Sequence, residues 1–241
     1  MPDTRSHRGP HPQDVELFAA PAWPALREAV GDLSWLLSRG YAGKSALKLV
    51  GDRLQLSERQ RLAVRRSACS DAALESRCQS QVSADRWAGR RVDLDGFNVL
   101  TSVEAALAGG VILAGRDGCY RDMASTHGSY RKVAETRPAL VLIGEVLQEL
   151  GAAECCWYLD RPVSNSGRLR TIIERLAAER GWPWRAELAD DVDGVLVQSQ
   201  AVVASADCGI LDRCGGWCNL AYEVIHRRVL TAYVVPMFTV P

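Results

Sequence analysis

Apolar positions along the chain recur with two rhythms, and the rhythm changes near residue 90. In the first stretch the spacing is helical. From about Ala25 to Arg39, Leu26, Val30, Leu33 and Leu37 share one stripe, and Gly40 ends the run. A short helix from Lys44 to Val50 is broken by Gly51-Asp52. Ser57-x-x-Gln60 then has the spacing of a capping box, opening a longer helix that reaches about Arg77. Half of the prolines fall in the first 24 residues, an extended lead-in. Residues 1–88 are therefore expected to form a small all-helical module. Two helices about a turn suggest a helix-turn-helix, but the break from Gly51 to Leu56 is longer than that motif's tight turn.

From Arg90 onward, short apolar runs alternate with helical stretches. RRVDLD, GGVILAG, CCWYLD, WPWRAEL, AVVASAD and TAYVVPM read as strands. Helices are expected at Val99–Leu107, Arg121–Tyr130, Pro138–Leu150, Asn165–Arg180, Cys208–Cys214 and near Leu220–His226. Strands that alternate with helices predict an α/β domain over residues 89–241 with a mainly parallel sheet. Trp157 belongs in its core, Trp182 and Trp184 pack a helix-to-strand connection, and Trp35 and Trp87 are placed where the two modules meet.

Composition narrows the class without naming a function. The 241 residues are 47% hydrophobic and 24% charged, which excludes a disordered, collagenous or coiled-coil chain. Largely apolar uncharged stretches such as Ala105–Gly115 are too short to cross a bilayer, and the first residues lack the apolar core of a secretory signal. Eight scattered cysteines, two of them adjacent at Cys155-Cys156, suit reduced, buried thiols better than a disulfide scaffold or a zinc cage. A cytoplasmic location is the expectation. Formal net charge is zero but unevenly spread: residues 1–90 hold 14 Lys and Arg against 10 Asp and Glu, and the remainder hold 15 against 19. Eight of the basic residues, Lys44 and Lys48 among them, lie between Arg39 and Arg66, where either a polyanion or plain solvent could meet them.

The chemistry lies in the strand ends. In an open parallel sheet the ligand crevice lies beyond the carboxyl ends of the strands, and three expected strands finish in aspartate: Asp95, Asp160 and Asp207. Any one of them could be a helix cap. Three together at one sheet edge would repel one another and attract a cation, and hard carboxylate oxygens suit Mg2+ or Mn2+. Such an ion serves phosphodiester hydrolysis by acidifying water and steadying charge on the phosphate.

These residues carry a resemblance. DGFNVL, with Asp95 followed by glycine and then Asn98, resembles the opening motif of the PIN-like nucleases, in particular the NYN branch, and VVASADCGILD resembles the later strand of that superfamily. The similarity covers roughly the last 150 residues. The whole chain, including DLSWLLSRGYAGKSALKLVGDR and RDGCYRDMASTHGSYRK, is also similar to prokaryotic proteins grouped only under domain-of-unknown-function labels. The PIN-like resemblance implies a three-layer α/β fold and a metal-dependent ribonuclease. Asp95 would be the central metal ligand, Asn98 would stand beside it, and Asp160 and Asp207 would complete the acidic cluster. Where relatives often carry a second acid two residues after the last of these, this chain has Gly209, and Asp212 is the nearest replacement. For the superfamily's helix-borne acid, Asp117, Asp122 and Glu135 stay open.

Two polar segments flank this constellation. Ser164, Asn165, Ser166, Gly167 and Arg168 open a helix and could either cradle a phosphate or simply cap it. The segment from Arg116 to Lys132 is dense in Arg and Tyr, with Arg116 and Arg121 as phosphate-binding candidates and His127 as a lone histidine. The expected function is a Mg2+- or Mn2+-dependent nuclease acting on RNA, with Arg121 and Arg168 neutralising phosphate. The alternatives are a catalytically weak module binding RNA or a protein partner, and a phosphatase or nucleotide-binding enzyme. A homo-oligomer is also open; no membrane is implied.

Overall fold

The computed structural model describes residues 9–124, 130 and 132–238. Its helical segment holds α1 (Asp14–Leu17), α2 (Trp23–Ser38), α3 (Gly43–Arg53), α4 (Glu58–Ser67) and α5 (Asp71–Ser80). The capping box at Ser57 and Gln60 is formed in both directions and starts α4. The long helix expected through Arg77 is split instead. Ala68 leaves α4 in an extended conformation and Ser70 caps α5. The cause is tertiary: Arg116 donates its backbone N–H to the Ser67 carbonyl (2.8 Å) and its guanidinium to the Cys69 carbonyl (2.7 Å), so those acceptors are taken outside the helix. Conversely, Gly51 does not break α3. It leaves room for the Arg61 guanidinium, which lies where a Cβ would stand.

The remainder runs β1 (Arg91–Asp95), α6 (Gly96–Leu107), β2 (Val111–Ala114), β3 (Tyr120–Asp122), α7 (Thr136–Glu149), β4 (Glu154–Asp160), α8 (Ser166–Arg180), β5 (Trp184–Ala189), α9 (Val192–Val197), β6 (Val202–Ala204), α10 (Cys208–Leu211), β7 (Trp217–Cys218), α11 (Leu220–Arg228) and β8 (Tyr233–Pro236). Five strands form an all-parallel sheet in the order β5-β4-β1-β6-β7, with helices on both faces, so the domain is a three-layer α/β fold preceded by a helical region. Two expected strands, GGVILAG and TAYVVPM, left this sheet. As β2 and β8 they pair in parallel, and β3 joins β2 antiparallel, in a second sheet ordered β3-β2-β8. The helix expected from Arg121 is replaced at its start by β3, because Gly118, at φ 76°, turns the chain back onto β2. Residues 125–129 of that expected helix, His127 among them, lie outside the described residues.

Alternation along the strands allots the layers. Cys155, Trp157 and Leu159 of β4, with Val92 and Leu94 of β1, face the main core under α6, α7, α8 and α11. Cys156, Tyr158 and Val203 face the opposite side, which among the described residues α9, α10 and nearby loops cover. In the second sheet Ile112 points to the main core, while Val111, Leu113 and Val235 pack against Leu26, Val30, Ala63 and Val64 of the helical segment. The helical segment thus shares a core with β2 and β8. Trp87 is buried in the main core and Trp182 packs over Gly144. Trp35, by contrast, is 53% exposed, with the Arg39 guanidinium stacked 3.5 Å from its ring centre.

Gly96 sets how closely α6 approaches the sheet. A Cβ there would lie 2.6 Å from Leu159 Cδ2 and 2.7 Å from the Tyr158 carbonyl oxygen, one of which is immobile backbone. Gly96→Ala is expected to destabilise the fold by about 1–3 kcal/mol through forced repacking. Urea unfolding measures this, and a midpoint equal to the parent's would refute the tight approach.

Candidate active site

Register brings the expected aspartates together. Asp95, ending the central strand, lies opposite Tyr158 of β4, so Asp160 stands two residues further along on one flank. On the other flank Leu94 lies opposite Ala204 of β6, which places Ser205 level with Asp95 and Asp207 two residues beyond. Because Val92 and Leu94 face the main core, Asp95 points to the thinly covered face. The chain runs from β1 towards β4 and β5 on one side and returns to β6 and β7 on the other, the reversal where α/β sheets open a crevice. A cleft of about 460 Å³ lies there, lined by Asp95, Asn98, Asp160 and Asp207, by Asp193 of α9, and on its far wall by Asp122, Arg121, Arg65 and Arg66.

The cap alternative holds for one aspartate of the three. Asp207 accepts from the backbone N–H of Gly209 (2.7 Å) and Ile210 (3.3 Å) at the start of α10. Asp95 precedes α6 but makes no capping bond. Its carboxylate instead accepts from Ser205 Oγ at 2.8 Å, while Ser205 Oγ accepts from the Asp207 N–H and Asn98 Oδ1 accepts from the Ala206 N–H. The loop after β6 is thereby tied to β1 and α6. Burial pushes the Asp95 carboxyl up, the Ser205 bond opposes this, and the charges of Asp207, Asp193 and Asp160 add to it, carrying it to about 7. Burial and like charges also raise Asp193, and burial raises Asp160. Among the described residues none of Asp95, Asp160, Asp193 and Asp207 forms an ion pair.

The far wall is held by a buried clasp. Asp117 receives both Arg121 (2.8 and 2.6 Å) and Arg77 of α5 (2.6 Å), Arg77 also grips Asp212 (2.6 and 3.0 Å), and Arg121 Nε reaches the Ala206 carbonyl (2.8 Å). Burial works against the Asp117 charge, but the two guanidinium groups outweigh it and hold the carboxyl down at about 2. Arg121 therefore lines the cleft with its donors already committed to protein. Asp122 accepts from Ser102 Oγ (2.9 Å), Thr101 Oγ1 (3.3 Å) and the Ala124 N–H (2.7 Å), and Arg66 donates to the carbonyls of Asp122 and Ala124. Arg65 is exposed and has no partner among the described residues.

Several expected residues lie elsewhere. Asp212 belongs to the Arg77 clasp, outside the cleft, so it does not replace the acid missing at Gly209. Ser166 Oγ donates to the Asp160 and Val163 carbonyls, Asn165 stands at φ 69° and donates to the Tyr130 carbonyl, and no side chain caps α8. That turn is consumed in supporting Asp160, and Ser164 and Arg168 are exposed beside it, outside the cleft. Arg116 is bound to Asp71 (2.5 Å) and Cys69. Lys44 and Lys48 lie on α3 in a separate groove. Among the described residues no three His, Cys, Asp or Glu side chains form a ready-made metal cage. The donor chemistry of the cleft, four carboxylates with no ion pair among the described residues, nevertheless suits a hard divalent cation.

The comparisons with known proteins place the chain without giving it an activity. Residues 84–223 match the family model described as Domain of unknown function (DUF5616), more than half of the chain. The chain belongs to this family. Residues 25–79 match a second model, Protein of unknown function (DUF434). The chain is also 32% identical over 155 residues, 64% of its length and 74% of the relative's, to the uncharacterised protein MJ0935 of Methanocaldococcus jannaschii. No solved structure matches it. The DUF5616 stretch contains Asp95, Asp160, Asp193 and Asp207, while Arg65 and Arg66 come from the DUF434 stretch.

Asp193, Arg65 and Arg66 are charged cleft residues that sequence reasoning did not single out. Asp193 had a signal: the run Asp190-Asp191-Val192-Asp193 follows β5, a fourth strand followed by acidic residues. Arg65 was one of eight basic residues with nothing to separate it from the rest.

Two outcomes follow from these charges. An acid whose folded pKa is raised holds its proton more tightly when folded, so stability is full near the unfolded value of 3.8 and falls as pH rises to about 7. Asp95→Asn should flatten that slope and melt higher than the parent above pH of about 7; calorimetry across pH in chelator checks this, and parallel curves would contradict it. Asp117→Ala strands two buried guanidinium groups and should destabilise by about 3–5 kcal/mol in chemical unfolding, whereas a loss typical of an exposed ion pair would show the clasp to be solvated.

Proposed function

We propose that the chain is a Mg2+- or Mn2+-dependent nuclease of PIN-like type that hydrolyses phosphodiester bonds in RNA. The observation that carries the reading is the set of four carboxylates without ion-pair partners among the described residues at the reversal point of the parallel sheet, one of them driven to about 7 by burial and its neighbours. Carboxylates crowded in this way are destabilising to the fold alone and suit a cation partner. DGFNVL and VVASADCGILD, which resemble PIN-like motifs, are the segments that supply Asp95, Asn98 and Asp207.

Asp95, Asp160, Asp193 and Asp207 would hold the ion or ions. A bound divalent ion would supply Lewis acidity, which makes water a better nucleophile and offsets charge on the phosphoryl group. Asn98 and Ser205 keep the Asp207 loop beside Asp95, and Arg121 does so through the Ala206 carbonyl. Arg65, uncommitted on the far wall, is placed to meet a phosphate oxygen. Arg121 acts as a positioning residue in this scheme. The reading places the protein in the cytoplasm, where RNA is available.

A second reading, RNA binding without cleavage, is favoured by Gly209 and by the absence of a ready-made carboxylate cage among the described residues. Incubating single-stranded and structured RNA with the full chain and Mg2+ or Mn2+, beside Asp95→Asn, distinguishes the two. The nuclease reading expects ion-dependent cleavage that falls by about 100-fold or more in the variant. Cleavage that survives chelation or the substitution contradicts it, and tight binding without cleavage supports the second reading.

A further inference from the structure

Beside the acidic cleft lies a second groove of about 570 Å³, formed by Lys44, Leu47 and Lys48 of α3 and by Arg61, Leu62 and Arg65 of α4, with Asp52 and Glu58 at its edge. Arg65 lines both depressions, so the two adjoin at that side chain. Arg66, the next residue, is bonded to the Asp122 and Ala124 carbonyls and fixes α4 against the wall of the cleft. Within the groove Lys48 and Arg61 share Asp52 (2.6 and 2.9 Å), and Arg61 approaches Glu58 at 4.0 Å. Lys44 and Arg65 have no partner among the described residues, so the groove is net cationic with two uncommitted charges. Arg61 and Arg65 stand about 6 Å apart along α4, and the half-buried Leu47 and Leu62 present apolar surface among the cations. Cations interleaved with apolar surface fit a chain that alternates phosphates with flat bases.

We infer that this groove binds the stretch of nucleic-acid strand flanking the phosphodiester in the acidic cleft, with Arg65 at the crossing. The substrate is then an oligonucleotide extending several residues to one side of the bond, and a dinucleotide occupies the cleft alone. This rests on the hydrolytic reading for what happens in the cleft, but its binding half is measured without turnover. An acidic peptide would find the same cations, but it offers no flat bases for the apolar surface of Leu47 and Leu62.

The test uses the full chain and the double variant Lys44→Ala/Lys48→Ala, both side chains being exposed and outside the cleft. With the divalent ion chelated, fluorescence anisotropy follows a labelled single-stranded oligoribonucleotide over a range of salt. The variant is expected to bind about 10-fold or more weakly and to lose about 0.7 of the log–log salt slope for each phosphate contact removed. With Mn2+ present, turnover of a dinucleotide should be unchanged while KM for the long strand rises. Unchanged affinity and slope for the long strand overturn the groove even if the dinucleotide is cleaved. Loss of affinity with no cleavage of any substrate keeps the groove and removes the hydrolytic reading. Displacement of RNA by polyglutamate at matched charge concentration overturns the assignment to nucleic acid.

Discussion

Removing Arg77, Asp117 and Arg121 from water together is costly, and the fold recovers that cost only because each charge meets opposite charge at hydrogen-bond distance. The geometry of much else depends on this contact. Arg77 comes from α5, Asp117 from the turn between β2 and β3, Arg121 from β3, and Asp212 from the end of α10, so the helical segment, the small sheet and the edge of the large sheet meet in one network. Through the Ala206 carbonyl the same network fixes the loop that carries Asp207. The position of a cleft carboxylate is therefore referred back to a helix more than a hundred residues earlier in the chain.

The large sheet contributes the complementary constraint. Parallel strands all end at the same edge, and alternation decides which face each side chain takes. On β1 the apolar residues fill the thick core and Asp93 and Asp95 take the other face, where short helices leave space. Asp93 is neutralised by Arg91 and accepts from the Ser199 hydroxyl, whereas Asp95, one step along the same face, meets among the described residues the Ser205 hydroxyl and three like charges. The two carboxylates of this strand thus differ in their neighbours. That difference explains why crowding is tolerated at one end of the strand and relieved at the other.

Much of this was legible in the residues. The run RVDLDGFN contains a strand and the turn into the helix that follows, and the strand-end rule placed Asp95, Asp160 and Asp207 in one cleft. What failed had tertiary causes. No local pattern announces that Arg116 will take the Ser67 and Cys69 carbonyls and divide a helix, or that GGVILAG and TAYVVPM will pair with each other instead of with the main sheet. Arg121 and Asp212 look like site residues because charge near a strand end looks the same whether it awaits a ligand or is satisfied by protein. The SNSGR turn suits a phosphate cradle or a helix cap equally in the sequence, and the fold spends its Ser166 hydroxyl on the carbonyl of Asp160.

The small sheet β3-β2-β8 sits between the two family stretches, and its outer face is the floor on which α2 and α4 rest. Residues 84–223 include β2 and β3 but neither β8 nor those helices. A gene fragment encoding that stretch alone would leave Val111 and Leu113 bare and one long edge of β2 unpaired, the surface from which chains self-associate. Separating the two stretches would therefore lay bare apolar surface that the intact chain buries, at a distance from the cleft carboxylates.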